Sequence, residues 1–275
     1  MIEIPEANVL TNQLRETVLD KKISETKVPE SPGKFSFYNG DPQSYNKMLS
    51  GESITGAKAL GGLVELSAGK KMLLFGDGVV LSYHPEGSEI PKKYQLVVNF
   101  DDGSALSGIV KLYGGMWCFS DNEFDNPYYK VAKEKPSPLS EDFDERYFSK
   151  LISADNAQKL SLKAFLATKQ RIPGLGNGVL QDILWKAKLH PRRKVKSLAE
   201  EEKERLFSSI KKALKVMTEQ GGRDTEKDLF GSAGGYKTVM SNTNYGKSCP
   251  VCGGNIVKEN YLGGKIYFCD NCQKY

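Results

Sequence analysis

Two kinds of hydrophobic spacing divide this 275-residue chain. At the start, Val9, Leu10, Leu14, Val18 and Leu19 recur at the interval of one helix face, behind a Pro5 that suits a first helical turn. This predicts a short N-terminal helix. Residues 20–60 are rich in Gly, Ser, Pro and Lys and follow neither period. From about 61 to 120 the text becomes apolar or alternating, predicting strands over 62–66, 71–75, 78–83, 94–100 and 105–112. Gly76-Asp77-Gly78 and Asp101-Asp102-Gly103 read as the turns between them. Residues 121–143 are acidic, carry several Pro and Ser, and read as a linker. Helical spacing returns over 143–151, 155–169, 177–187, 199–218 and 222–230, and a small loop at 231–235 leads into a cysteine-bearing tail. The expected class is α+β, with a β-sandwich or barrel-like domain first and helices after it.

Hydrophobic residues make up 39% and charged residues 27% of the chain, as in ordinary globular proteins. No run approaches the roughly 18 apolar residues of a membrane span, and the start lacks a basic segment followed by an apolar one. A cytoplasmic monomer with no membrane partner is the expectation. Net charge is +5, unevenly spread: residues 1–150 hold 17 Lys and Arg against 22 Asp and Glu, residues 151–275 hold 22 against 12. A basic C-terminal part suits an anionic partner, nucleic acid being the commonest, although lysines that merely solvate helices give the same count.

Four of the five cysteines form two knuckles, Cys249-Pro-Val-Cys252 and Cys269-Asp-Asn-Cys272, with 16 residues between them. Such spacing predicts a tetrahedral zinc site of four thiolates joined by a hairpin. Four cysteine ligands leave no open coordination position, so the metal would be structural. It would fold a tail too small to hold its own core and free the hairpin to present Lys265 and Tyr267.

Between two helical patterns lies Ile172-Pro-Gly-Leu-Gly-Asn177. Glycines permit a sharp turn, and the N–H groups at the start of the next helix suit a phosphate. Asn177 could touch that phosphate or cap the helix; a turn capping an ordinary helix explains the same residues.

In this order, Glu3 with Pro5-Glu6, Gly69-Lys70-Lys71 before Met72-Leu73-Leu74, Pro138-Leu139-Ser140 with Asp142-Phe143, Pro173 to Asn177, Leu189-His190-Pro191 and the four-cysteine finger ending Cys272-Gln273 resemble the formamidopyrimidine-DNA glycosylase / endonuclease VIII family of base-excision repair enzymes. The resemblance covers essentially the whole chain, most loosely at 20–60. It implies a β-sandwich with an N-terminal helix over 1–125, a linker over 126–142, a helix–two-turn–helix domain over 143–235 and a zinc finger over 236–275. Damaged or abasic double-stranded DNA would lie in the cleft between the domains. Members flip a base out and attack C1′ with an N-terminal proline amine, giving base release and strand cleavage. Glu3 and Glu6 would be the carboxylates of that site, Lys71 a lysine contacting the phosphate beside the lesion, and Asn177 a phosphate ligand.

Three departures stand out. The family begins Met-Pro-Glu, whereas this chain begins Met1-Ile2-Glu3, so the candidate amines are those of Met1, of Ile2 once Met1 is removed, and of Lys71. Gly264 stands where the finger's phosphate-binding arginine is expected, leaving Lys265 next door on the opposite strand face. Lys111-Leu112-Tyr113-Gly114 replaces an Arg-Arg-Phe-Gly pattern, so that Tyr113 is a candidate aromatic wedge and Lys111 a candidate reader of the opposite strand. Two readings remain open: a glycosylase with weak apurinic-site lyase activity, and a lesion- or abasic-site-binding protein of the same fold without covalent chemistry.

Overall fold

A computed structural model describes residues 1–275. The first helix forms as its spacing predicts: α1 (Ile4–Val18) buries Ile4, Ala7, Leu10, Leu14 and Val18. It serves two cores at once, because Ala7, Leu10, Leu14 and Val18 pack with the sheet while Ile4 packs with the helical domain.

The strands are β1 (Ile23–Lys27), β2 (Ser36–Phe37), β3 (Ile54–Leu60), β4 (Leu63–Ala68), β5 (Lys71–His84), β6 (Leu96–Phe100) and β7 (Ala105–Ser120), with α2 (Tyr45–Leu49) between β2 and β3. They run in the order β1-β6-β7-β5-β4-β3, with β2 pairing in parallel with β7. β5 and β7 are 14 and 16 residues long, more than twice the usual strand. β4 pairs with residues 71–76 of β5, and β6 pairs with residues 105–108 of β7, at opposite ends of the β5–β7 ladder. The two layers therefore share their central strands around a 24-residue core.

This corrects the expected turn at Gly76-Asp77-Gly78. The strand continues through it, the ladder shifts register between Asp77 and Val79, and Asp77 takes a φ of +59°. A bulge and a turn both call for residues tolerant of left-handed backbone, so the same letters signal either. Within the expected linker, α3 (Pro127–Glu134) forms behind an Asn126 side chain that caps two of its N–H groups.

The helical domain holds α4 (Glu145–Ser153), α5 (Asp155–Gln158), α6 (Leu162–Ala167), α7 (Val179–Lys186) and α8 (Glu200–Glu219) around a second 24-residue core. The helix expected over 155–169 breaks in two, with Ser161 capping the second piece. The helix expected over 222–230 does not form. Gly221 and Gly222, at φ +77° and +92°, end α8, and the chain folds back so that residues 222 and 236 exchange backbone hydrogen bonds with their neighbours. The tail ends in the hairpin β8 (Ile256–Tyr261) and β9 (Gly264–Cys269), and no helix is long and apolar enough to cross a membrane. The hairpin is tied to α7 by Gln181, whose amide donates to the Lys265 carbonyl and accepts from the Tyr267 N–H.

The two domains meet along the first four residues. The Ile2 N–H donates to the Asp77 carbonyl at the bulge, and the Ile4 N–H donates to the Gly174 carbonyl in the helical domain. The Gly61-Gly62 turn packs backbone to backbone on Pro173-Gly174, so close that a Cβ on Gly174 would lie 2.0 Å from the Gly62 nitrogen. Gly174 also has a φ of +76°. We expect Gly174→Ala to destabilise the protein by about 3 kcal/mol in urea unfolding, from overpacking plus backbone strain. Gly221→Ala, equally left-handed but with nothing within 4 Å of its Cβ, should cost only about 1 kcal/mol; equal losses would show that the seam is not tightly packed.

Candidate nucleic-acid cleft at the N-terminus

The seam is the floor of a cleft of about 810 Å³. Met1, Ile2 and Glu3 line it together with Asp77 and Tyr113 from the sheet, Lys163, Lys169 and Asn177 from the helical domain, and Leu262 to Gly264 from the hairpin. All three structural units therefore contribute to one concavity.

Beneath the floor is a buried ionic cluster. Glu3, Glu6 and Arg223 are 4%, 5% and 3% exposed. The Arg223 Nε and Nη2 donate to the two Glu6 oxygens at 2.9 and 2.8 Å, and its Nη1 is 3.7 Å from Glu3 Oε2. Glu3 in turn accepts from the Gly178 and Val179 N–H groups at the start of α7, both at 2.8 Å. Burial raises the Glu6 carboxyl, but the charge and hydrogen bonds of Arg223 outweigh it and hold Glu6 below its ordinary value. For Glu3, burial dominates over Arg223 and the two amides, and its pKa is raised. Arg223 is shifted upward by the two carboxylates despite its burial.

This arrangement explains the glycine-rich turn and corrects its expected use. A Cβ at Gly176 would lie 2.6 Å from Glu3 Oε1, and one at Gly178 would lie 1.6 Å from Arg223 Nη1. The glycines make room for the chain's own ions. The two N–H groups expected to meet a phosphate are taken by Glu3. Asn177 does not cap α7; exposed in the cleft, it donates to the Lys265 carbonyl.

The other expected residues separate into two groups. Tyr113, at 42% exposure, lines the cleft and is not a core residue. Lys71, the first residue of β5, lies outside the cleft lining, and its Nζ donates to Ser120 Oγ. Lys111 is exposed beside Tyr113 but outside the cleft lining. Lys265 directs its Nζ to Asn260, away from the cleft, and contributes only its carbonyl. The Met1 amine pairs with Glu226 Oε2 at 2.5 Å. His84 donates to or accepts from Ser107, and Cys118 is a buried thiol.

Three residues of the site escaped the sequence, one beneath the cleft floor and two in its lining. Arg223 looked like one charge in an expected helix. Lys163 looked like a solvated lysine in Leu-Lys-Ala-Phe-Leu-Ala, yet it is 4% exposed, donates to the Tyr261 carbonyl at 2.5 Å, and its Nζ lies 3.2 Å from where a Cβ on Gly264 would be. A cation from α6 thus reaches the finger turn that lacks one, and burial lowers its pKa. Asp77 looked like a turn residue; it lines the cleft, and burial raises its pKa.

In the finger, the four cysteine sulfurs lie within 4.8 Å of one another, with Cys252 at 3.3 Å from Cys269 and 3.2 Å from Cys272 and Cys249 at 3.9 Å from Cys272. A tetrahedral site with metal–sulfur bonds of about 2.3 Å spaces its sulfurs by about 3.8 Å, so the four thiols fit one such ion.

Removing Arg223 should be costly, because it strands two buried carboxylates. We expect Arg223→Met to lose about 3–5 kcal/mol at pH 7. The pH dependence should also change. In the wild type the depressed Glu6 contributes stability that is lost as pH falls through its lowered value, while the raised Glu3 acts in the opposite direction, so the two partly offset. In Arg223→Met both carboxyls would be raised, so stability would increase as pH falls from 7 to 5. Urea unfolding at pH 7, 5 and 3 checks this; parallel curves for the two proteins would refute the ionic cluster.

A family model described as the formamidopyrimidine-DNA glycosylase H2TH domain matches residues 135–228. The formamidopyrimidine-DNA glycosylase of Mycoplasma genitalium is 29% identical over 289 residues, covering all of this chain and 96% of its own length. That of Streptococcus pneumoniae is 28% identical over 294 residues, covering all of this chain and 99% of its own. Among solved structures, a Lactococcus lactis FPG variant in complex with a Fapy-dG containing DNA superposes with a TM-score of 0.84 at 25% identity, over 99% of this chain and 100% of the other. The same protein with an abasic site containing DNA gives 0.83, with the same identity and coverage.

Proposed function

Because the chain belongs to the formamidopyrimidine-DNA glycosylase family, as a divergent member without the N-terminal proline, we propose that it is a DNA repair glycosylase that acts on damaged bases in duplex DNA, with at most weak apurinic-site lyase activity. The observation that carries the reading is the convergence of Met1 to Glu3, Tyr113, Lys163 and Asn177 on one cleft between the domains. Lys163 and Asn177 supply phosphate contacts at the finger end, and Tyr113 is the residue able to wedge into the stack. The Cys249, Cys252, Cys269 and Cys272 cluster holds a structural zinc that fixes the hairpin over α7.

The amine of Met1 is the nucleophile candidate nearest the cleft. To attack C1′ it must leave Glu226 and shed a proton. The carbon–nitrogen bond then forms as the glycosidic bond breaks, and the departing base takes up a proton. Glu3, whose two oxygens are engaged by α7 amides, is poorly placed to carry that proton. Removal of Met1 would not help, since the Ile2 nitrogen is buried in its bond to Asp77. These same contacts support a second reading, recognition of a lesion or abasic site without covalent chemistry.

Borohydride trapping on an abasic-site duplex separates the two. We expect faint adduct with the wild type, several-fold more with Glu226→Gln, which releases the amine, and none after the N-terminus is blocked. Duplex binding without adduct in any variant, and without base release from a panel of lesions, would leave the binding protein standing. The mass of the mature N-terminus identifies which amine is present.

Metal analysis should find one zinc per chain. Chelation or Cys269→Ser should weaken duplex binding while the two 24-residue cores keep their unfolding transition. Occupancy below about half in carefully prepared protein would refute the zinc assignment.

A further inference from the structure

We propose that Trp117 is a stacking platform for a single nucleobase turned out of the duplex, on the sheet wall of the cleft. The proposal rests on the duplex-binding reading above and adds to it a site for the base.

Gly76 and Gly115 are directly opposed on β5 and β7. Trp117 is two residues beyond Gly115, so its side chain shares that face of the sheet. A Cβ on Gly115 would lie 1.9 Å from Cη2 and Cζ2 of the indole, and one on Gly76 would lie 3.4 Å from Cζ3. The indole therefore occupies the space above Gly115, and its far edge, together with the Leu63 side chain 2.6 Å from the same Cβ position, covers Gly76. Any side chain at residue 115 would tip it off the sheet.

An aromatic ring covering strand glycines is a known way to stabilise a sheet, and in a closed core it would need no other purpose. Here the ring is only half-buried and lines the open cleft. Leu60, Leu63 and Leu74 make an apolar surround. Phe124 is the one aromatic neighbour of the indole, at 5.8 Å between centroids and 41° between planes, and the ring packs at the border of the Leu74, Phe119 and Tyr129 cluster. Phe37 and Tyr128 stand at the rim, 45% and 59% exposed. So much aromatic surface left in water inside a concavity suits a flat, apolar-faced ligand.

The nature of the ligand follows from the rest of the cleft. The same concavity carries Lys163, Lys169 and Asn177 on its opposite wall, cations and an amide suited to a phosphodiester. A platform for a ring on one wall and a phosphate grip on the other describe a nucleotide still attached to its strand. Stacking tolerates every base, because each has a π face, so the site selects for ease of extrusion and not for base identity.

The test compares three duplexes by anisotropy: fully paired, carrying one mismatch, and carrying abasic analogues facing each other. The wild type should favour the mismatch over the paired duplex. Trp117→Leu should lose about ten-fold in affinity for the mismatch and little for the double abasic duplex, which has no base to stack; Trp117→Phe should recover most of the loss. Indole emission should be quenched by the mismatch and not by the double abasic duplex, and that difference should vanish in Trp117→Phe, where Trp185 alone emits. Equal losses on both duplexes, or no loss on either, would overturn the platform while leaving duplex binding intact. Should Trp117→Leu fail to fold, absence of the differential quench in the wild type would overturn it. Failure of the wild type to bind any duplex would remove the duplex-binding reading itself.

Discussion

A single guanidinium holds this structure's two halves in register. Arg223 comes from the loop after α8, Glu3 and Glu6 from the start of α1, and Glu3 passes the interaction on to the first amides of α7. Burying three charges is expensive, and the arrangement holds because nearly every lone pair and donor has a partner at ion-pair or hydrogen-bond distance. The helix start at residue 178 adds positive potential toward the second carboxylate, which one arginine alone would leave uncompensated. Around this point the backbone is forced into contact: Gly174 against Gly62, Gly176 under Glu3, Gly178 under Arg223. The N-terminal residues are thereby fixed in the cleft to within the tolerance of a packed core.

The same cluster decides how the cleft's chemistry is shared out. A helix start that could bind an external anion instead binds an internal one. In the proposed complex a phosphate would instead meet Lys163, whose amine reaches the Tyr261 carbonyl beneath the finger turn, and Asn177, which donates to the Lys265 carbonyl. Gly264 is compatible with this, since a larger residue there would crowd Lys163 at 3.2 Å. The finger contributes shape, the helical domain contributes charge.

Much of this was legible in the letters. The period of α1, the helical domain and the paired knuckles all follow from spacing, because each rests on local repetition that a fold must respect. The unreadable parts share one physical reason: their meaning is set by partners far away in sequence. Gly76-Asp77-Gly78 is a bulge because two strand pairs are anchored at opposite ends of β5 and β7, which no local pattern records. Arg223 finds Glu6 across 217 residues. Lys163 finds Tyr261 across 98. Lys71 lies outside the cleft lining because strand pairing, which its neighbours in the sequence do not record, sets it against Ser120. Strands β1 and β3 were missed in the polar stretch because each exposes much of its length, so neither shows a clean alternation.

The loop from Gly222 to Tyr236 is closed on itself by backbone bonds between residues 220 to 224 and 234 to 236, and Tyr236 is anchored by its hydroxyl to the buried Asp182. A Cβ on Gly234 would lie 2.3 Å from the Gly222 carbonyl carbon, so the two ends of the loop touch. A loop stitched this tightly at its neck is braced against moving as a unit. If little on the protein side can yield, the work of fitting falls on the nucleic acid, whose local bending and unpairing differ from step to step. Discrimination would then be elastic, with flexible pyrimidine–purine flanks admitted more readily than stiff A-tracts around one and the same lesion.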